Sequence, residues 1–465
     1  SLQLNAPMFD NFRFVILAIG LLCLTSLACN YSIINFTFIC MTQDVDDVID
    51  IGNGTTRQRY SYSQTEKSAL HWAVAIGTLS GTFPVNWSYV RWGARVPFFL
   101  AGALSALSTA FTPFAANLSL YAFIFLRFLQ GVAYSADFAA VGVIVVRWAP
   151  LTQTAIFISF LTTFSSISSM VTNPVAGAFC TSSLGWRWAY YTFSAVTMLI
   201  FTLWLAFYND DPQNHRTVSS RELERIQEGK TQAHIERDRF VPYRAICSSP
   251  VILVVWLNAF TELVGYIIML TYGPTYIFKV LGYSIQETSY LSTIGATMHF
   301  VFKMSSGLLS DLLSFISEKN KMMFFNTLAV GVSGIMCALV GFMPTAYLAL
   351  LMMTISSSLS GLNVGGFYKC ATLHSRQYAH FVLATVQFSK CVALIVGPLT
   401  VAIFASDETN GSGWILVFLF NGIVMIIANI LFYFTATGEP AAFTQITRVT
   451  EKEKEQSGIR LKELS

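Results

Sequence analysis

The chain has 465 residues, of which 54% are hydrophobic and only 11% charged, with a formal net charge of +3. Those proportions exclude a soluble protein built on one large core and leave a polytopic membrane protein, and so slight a positive balance gives no ground for a nucleic-acid partner. The eight cysteines lie mostly singly in apolar stretches (Cys23, Cys29, Cys337, Cys391), without a CxxC pair or a His/Cys cluster, so neither metal binding nor a disulfide framework is expected.

Twelve stretches are apolar and long enough to cross a bilayer as helices. In chain order they fall at roughly 12–36, 68–90, 96–115, 119–146, 152–178, 187–208, 250–279, 286–313, 321–342, 345–371, 378–404 and 413–436. The first is long enough to be retained as a span, so no cleavable signal is expected. Two polar breaks interrupt the series: an acidic loop at 42–67 and a longer charged one at 209–249. The second divides the spans six and six. The expected units are an N-terminal bundle (1–208), a linker (209–249), a C-terminal bundle (250–436) and a tail (437–465). In the linker, Ser219 and Ser220 precede Glu222 and Glu224, the pattern of a helix start, and an amphipathic helix along the cytoplasmic face is expected. Gly77 and Gly81, four apart in the second span, and the serines at 165–169 are small enough to let helices approach closely.

The positive charges set an orientation. With both termini cytoplasmic, nineteen of the 28 lysines and arginines fall on that side, five on the other and four within spans, as the positive-inside rule requires. The 42–67 loop is then outside or lumenal, where its sequon Asn53-Gly54-Thr55 is a glycosylation candidate.

Residues 127–150 read RFLQGVAYSADFAAVGVIVVRWAP: an arginine and an aspartate in an apolar span, closed by Arg147-Trp148-Ala149-Pro150. Such charges are costly in a membrane and usually face a partner, a cavity or a transport path. The Arg127-Phe-Leu-Gln130-Gly131 opening and the Trp-Ala-Pro close resemble the fourth-helix signature of solute carrier family 17. These are the anion:cation symporters that include sialin, the vesicular glutamate transporters and the type I sodium–phosphate cotransporters. Pro84 with Arg91, Gly185-Trp186, Asp211-Pro212 with His215, Gly361-Leu-Asn363 with Gly366-Phe367, Gly397-Pro398 and Thr437-Gly438-Glu439-Pro440 continue the likeness in order along the chain. The resemblance implies an all-α polytopic membrane protein of the major facilitator superfamily fold, twelve transmembrane helices in two six-helix bundles with the substrate site between them. It also implies a monomer with no enzymatic activity and no cofactor. Arg127 matches the arginine that in relatives receives the substrate's negative charge, and His71 matches the second-helix histidine of the glutamate branch. Four places depart from the pattern: Asn30 replaces a first-helix arginine, Glu262 stands where the glutamate branch has a seventh-helix arginine, Tyr134 stands near the place of a fourth-helix acid with Asp137 beyond, and the segment from Phe367 to His374 lacks the usual Asn-His-Leu-Asp run.

Read physically, Arg127, Tyr134, Asn258 and Lys390 are candidates to bind substrate, since a guanidinium fork suits a carboxylate, sulfate or phosphate. Asp137, Glu262 and His71 are candidates to couple ions, because buried ionisable groups at mid-membrane mark substrate or proton routes. For Glu262 and Lys390 the competing reading is a structural ion pair between two helices. Arg91, Arg95 and Asp311 belong to the inner gate contacts. Along one continuous helix Arg127 and Asp137 are about 15 Å apart and point away from each other, so they cannot pair. The deep groups sum to plus one, Arg127, Lys303 and Lys390 against Asp137 and Glu262. The expected function is secondary active transport of a small organic anion with H⁺ or Na⁺ across the plasma membrane or a lysosomal or vesicular membrane. A neutral or cationic solute, or a non-transporting sensor that kept the fold, are the alternatives. No phosphate-binding GxxxxGK loop, catalytic Ser/His/Asp arrangement or metal-ligand spacing is present.

Overall fold

The computed structural model describes residues 10–42, 48–50, 56–58, 60–150, 153–215, 217–227, 242–313 and 315–445. Within them the chain forms α1 (Phe12–Met41), a small antiparallel β1–β2 pair (Val48–Asp50, Thr56–Gln58), α2 (Gln64–Trp92), α3 (Arg95–Leu118), α4 (Leu120–Tyr134), α5 (Ala136–Trp148), α6 (Thr154–Leu161), α7 (Phe164–Thr181) and α8 (Trp186–Phe207). The linker contributes α9 (Ser220–Gln227) and α10 (Tyr243–Cys247). Then follow α11 (Pro250–Lys279), α12 (Ile285–Leu312), α13 (Glu318–Asn326), α14 (Ser333–Leu339), α15 (Ala346–Ser360), α16 (Phe367–Ser375), α17 (Ala379–Phe404) and α18 (Gly411–Thr435).

Among the described residues, ten helical stretches are long and apolar enough to cross a membrane. With α2 and α12, which have the length at 29 and 28 residues but carry more polar groups, the passes number twelve, as expected. Those two polar passes are started by sequence. At each, a serine (Ser63, Ser284) accepts from the backbone N–H three residues on, and a glutamate (Glu66, Glu287) accepts from the serine's own N–H, a reciprocal cap that satisfies donors a helix start leaves open.

Several passes are broken rather than straight. The fourth turns at Ser135 between α4 and α5, the fifth between α6 and α7. The ninth contains a π-helical stretch (Thr327–Val332) between α13 and α14, and the tenth tightens to a 3₁₀ turn (Gly361–Val364) between α15 and α16. Because of the turn at Ser135, Arg127 and Asp137 lie on separate helical segments instead of the single helix expected.

Packing follows the two halves. Two buried apolar clusters draw on residues up to Ile226, two on residues from Ile246 onward with Ala75 joining the second pair. Inside the first bundle α2 and α4 pack at backbone distance: a Cβ on Gly77 would lie 2.2 Å from the Phe128 carbonyl oxygen, and one on Gly131 2.2 Å from that of Val74. Gly81 meets Ser135 in the same seam. The close approach read from the Gly77–Gly81 spacing is present.

One expectation is corrected. Cys40, at the end of α1, and Cys180, at the end of α7, form a disulfide across 140 residues of sequence. No local spacing announces it: each cysteine stands alone in its span, and only the fold brings the two helix ends together. The bond lies on the face that carries the β1–β2 pair, here called the loop face; the opposite side is the linker face.

On the linker face, α9 docks against the start of α1. Ser219 Oγ accepts from Glu222 N–H at 3.1 Å and donates to Asp10 at 2.6 Å. Glu222, fully buried, pairs with the Arg13 guanidinium, which also donates to Gln153. The linker's described helix is therefore tied to the N-terminal bundle by a buried charge pair.

Candidate functional site between the two bundles

Arg127 projects from α4 into the heart of the N-terminal bundle and is 1% exposed. Its Nη1 donates to the Tyr31 carbonyl and to Gln130 Oε1, both at 2.7 Å, and its Nε to the Leu70 carbonyl at 3.3 Å. Gln130 is held in turn by a bond to Thr109. Nη2 is buried without a hydrogen-bond partner among the described residues. The guanidinium is thus fixed on one side and has an unused donor on the other, the arrangement that an anion would complete. His71 lies one residue beyond Leu70, buried between the rings of Phe38 (6.0 Å) and Tyr272 (5.8 Å), the second of which belongs to the C-terminal bundle.

Tyr134 and Lys390 meet across the bundles. The Lys390 ammonium donates to the Tyr134 hydroxyl at 2.5 Å and lies 5.2 Å from the Phe164 ring centre. The Tyr134 ring packs on Tyr31 at 4.5 Å, which links Lys390 through two aromatic side chains to the carbonyl that holds Arg127. Asp137 is fully buried. Glu262 bonds to the Asn363 amide at 3.3 Å. The ion pair between Glu262 and Lys390 weighed from sequence is not what the fold makes; each group has a partner elsewhere.

A second cross-bundle cluster surrounds His299. Its Nδ1 is 2.8 Å from Ser166 Oγ, its ring lies 4.7 Å from that of Tyr266, and its buried Nε2 has no partner among the described residues. Four residues further along α12, Lys303 donates to the Thr162 carbonyl in the turn between α6 and α7 at 3.2 Å. Beside this cluster a cavity of about 60 Å³ lies between α7 and helices α11, α12 and α15, lined among others by Asn173, Tyr266, Ser292, His299 and Thr354. Nothing in the sequence pairs His299 with Ser166, which comes from the other bundle.

Asn258 is placed otherwise than expected. It is fully buried within the C-terminal bundle, donates to the Val254 and Ala428 carbonyls at 2.9 Å, and accepts from Asn326 at 3.0 Å. Asn326 donates also to Asn429. Both amide hydrogens of Asn258 are thus spent on backbone carbonyls, and its oxygen joins a chain of three asparagines that links three helices. Such bonds contribute on average about 0.6 kcal/mol each in membrane proteins.

On the loop face the bundles are latched. Lys67 of α2 and Lys279 of α11 each lie 2.6 Å from Glu408 Oε2 in the loop between α17 and α18. Ser68 donates to the Pro398 carbonyl and Trp72 to that of Ile395. Burial pushes the Glu408 carboxyl up, but the two ammoniums outweigh it and hold it below its ordinary value. On the linker face, Arg95 donates to the Leu205 carbonyl within its own bundle at 3.0 and 2.8 Å, and Arg91 is exposed. The side chain of Asp311 and the whole of Asn53 lie outside the described residues. Lys369, near the linker face, pairs with Glu318 at 2.8 Å.

Comparison with known proteins agrees with this architecture. The family model described as Major Facilitator Superfamily matches residues 20–398. Sodium-dependent phosphate transport protein 3 of Mus musculus is 25% identical over 381 residues, 80% of this chain and 78% of the relative. Sialin of Homo sapiens is 25% identical over 401 residues, 84% of this chain and 79% of the relative. A protein named probable small intestine urate exporter of Homo sapiens is 25% identical over 386 residues, 80% of this chain and 76% of the relative. These are relatives of the kind the fourth-helix signature pointed to. Among solved structures, a D-xylose–proton symporter aligns with a TM-score of 0.68 at 15% identity, covering 92% of this chain and all (100%) of that one. A bacterial homologue of the human lysosomal transporter Spinster, inward-facing and occupied, aligns at 0.65 and 13% identity, over 91% of this chain and 97% of that one. Two six-pass bundles facing each other across buried charges, with a superfamily match over most of the length, make this chain an integral membrane transport protein of the major facilitator superfamily.

Proposed function

We propose that the protein moves a small organic anion together with H⁺ or Na⁺ by alternating access. The observation that carries this reading is Arg127: a guanidinium fixed by two carbonyls and a glutamine, with one buried donor unused. The phosphate and urate in the names of two relatives are solutes of the same charge class. Lys390 brings a second positive charge to the interface from the opposite bundle. An anion bound between them would bridge the two bundles, and its departure would release them. Asp137, Glu262 and His71 are the coupling candidates.

In this reading the linker face is cytoplasmic, supported by the excess of lysines and arginines there and by the Cys40–Cys180 bond on the other side, since disulfides persist in oxidising compartments. The membrane is a plasma or a lysosomal or vesicular one, and the unit is a monomer.

Uptake into proteoliposomes across imposed pH and Na⁺ gradients is the test. Arg127→Gln should lower the uptake of every transported anion roughly tenfold or more, since a hydrogen bond to a charged group contributes about 1.5–3 kcal/mol. Undiminished anion uptake by that variant would dismiss the role. The second reading, a cationic solute, is favoured by Glu262, a buried carboxylate where the glutamate branch has an arginine. Counterflow separates the two: Glu262→Gln should spare the exchange of anions in the first reading and abolish solute exchange in the second.

A further inference from the structure

The cavity beside His299 is made by missing side chains. Gly273 of α11 and Gly295 of α12 both line it. A Cβ on Gly295 would meet nothing within 4 Å, and one on Gly273 only the Met353 Cε, at 3.7 Å. The rest of the wall is mainly apolar, with Met269, Leu270, Ile277, Leu291, Leu350 and Met353. Its volume of about 60 Å³ holds roughly four to six water-sized particles, the bulk of a small ring or a short aliphatic chain. Neither Arg127 nor any of Tyr31, Leu70 and Gln130 lines it, so it is a place apart from the anion position.

The polar groups of the wall are few and mostly occupied. No lysine, arginine, aspartate or glutamate is among the described residues that line it, so a charged group would have no counter-ion there. The hydroxyls of Ser292, Thr354 and Ser357 donate to carbonyls of their own helices at 2.7, 2.9 and 2.8 Å. The Tyr266 hydroxyl lies 3.5 Å from that of Ser165. His299 is 4% exposed, with Nδ1 engaged by Ser166 and Nε2 buried without a partner among the described residues. A neutral imidazole nitrogen is a donor in one tautomer and an acceptor in the other, and a hydroxyl answers both. The occupant these walls select is therefore uncharged and mostly apolar, with one hydroxyl.

The cavity also sits on the seam between the bundles. Ser289 Oγ donates to the Asn173 carbonyl at 3.0 Å, and His299 meets Ser166 at 2.8 Å. These contacts are about 15 Å apart along α12, with Ser292, Gly295 and Ala296 of the cavity wall between them. α12 starts on the loop face at Ile285, which puts this wall in the half of the membrane that the latch closes. Ser169 and Asn173 of α7 are the N-terminal bundle's share of the wall. We propose that the cavity is a regulatory site for a small uncharged alcohol, its apolar body against the methionine and leucine walls and its hydroxyl on His299 Nε2. The α7 wall recedes when the bundles rock apart, so the alcohol binds the state closed on the loop face. A ligand that prefers one state shifts the population toward it, and the alcohol thus slows the cycle without competing with the solute. The site does not depend on the solute's charge.

The probe is cyclopentanol, a small ring with one hydroxyl and no charge. Its saturable binding to the purified full-length protein, followed by saturation-transfer NMR, gives a Kd. Ser68 is buried in the loop-face contact, so a Ser68→Cys variant reports opening through its labelling by an impermeant thiol reagent. At about ten times the Kd that labelling should slow roughly tenfold, as it must when only the closed state binds. Gly295→Leu, whose side chain enters the empty space, should abolish both effects. His299→Phe keeps a ring but loses the nitrogen, and should weaken binding about fivefold, the contribution of one neutral hydrogen bond; it carries the test if Gly295→Leu does not fold. Arg127→Gln should leave cyclopentanol binding unchanged whether or not anion uptake is lost, so the two sites are judged separately. Absent saturable binding, binding unchanged in both cavity variants, or binding lost in Arg127→Gln overturns the proposal. Binding without slower labelling overturns the regulatory role.

Discussion

Lys67, near the start of α2, and Glu408, in the loop before α18, meet at 2.6 Å although 341 residues separate them. Their side chains are 7% and 6% exposed. Lys279 reaches the same carboxylate oxygen from Glu408's own bundle, so it sets the carboxylate in place while Lys67 makes the contact that spans the bundles. Among the described residues, Lys67–Glu408 is the charge pair that spans the bundles on the closed loop face, beside the Ser68 and Trp72 hydrogen bonds, and it must break whenever that face opens.

Lys67→Ala leaves Glu408 paired with Lys279 and removes only the contact that spans the bundles, so it is expected to shift the protein toward the state open on the loop face. Ser68 is fully buried in this contact, against the Pro398 carbonyl, so a Ser68→Cys reporter measures it. Its labelling by a membrane-impermeant thiol reagent should accelerate in the Lys67→Ala background. Equal rates in both backgrounds would take the latch away from this pair.

The pH response of the latch has a definite sign. The two lysines hold Glu408 below its ordinary value of 4.5 in the closed state, against the upward push of burial. A depressed carboxylate stabilises closure above the pKa it has when open, and the stabilisation is lost as pH falls through the lower closed-state value. Labelling of the Ser68→Cys reporter should thus be flat from neutral pH down to about the ordinary glutamate value and should rise only below it. A rise between neutrality and that value would mean that another group controls the face.

Reducing the Cys40–Cys180 bond should lower thermal stability. A cross-link that closes a loop of 140 residues constrains the unfolded chain strongly, with typical effects of about 2–4 kcal/mol. The Cys40→Ser/Cys180→Ser double variant should match the reduced wild type in Tm and should not respond to reductant. A double variant that melts with the oxidised wild type would show that the bond contributes nothing.

The α2–α4 seam should tolerate no added carbon. In Gly131→Ala the new methyl would sit 2.2 Å from the Val74 carbonyl oxygen, backbone that cannot step aside, for a cost of about 1–3 kcal/mol or more. Gly142→Ala, whose methyl meets nothing within 4 Å, serves as the comparison. Monodisperse yield on size exclusion should drop for the first and hold for the second; equal yields would mean that the seam can widen.

The twelve passes were legible because a bilayer imposes a length of apolar chain that any reader can count, and the Gly77–Gly81 seam because helices repeat every few residues. Arg127 stood out for the same local reason, a charge where charge is expensive. What lay beyond reach were pairings between distant positions. Glu262 and Lys390 are both deep charges, yet Glu262 bonds to Asn363 and Lys390 to Tyr134. Asn258 had the chemistry of a solute ligand, but its amide donates to the Val254 and Ala428 carbonyls and its oxygen accepts from Asn326.

By itself, then, the sequence determined the membrane class, the six-and-six division and the presence of a deep arginine at Arg127, since hydrophobic length and isolated charges are properties of single segments. Only the tertiary structure decided which of those groups meet: the Cys40–Cys180 staple, the Lys67–Glu408 latch, the Ser166–His299 bond and the Glu262–Asn363 bond. Each depends on how two helices are rotated and how deep they sit against one another. That is settled by packing across the whole bundle and leaves no periodic trace in either strand of sequence.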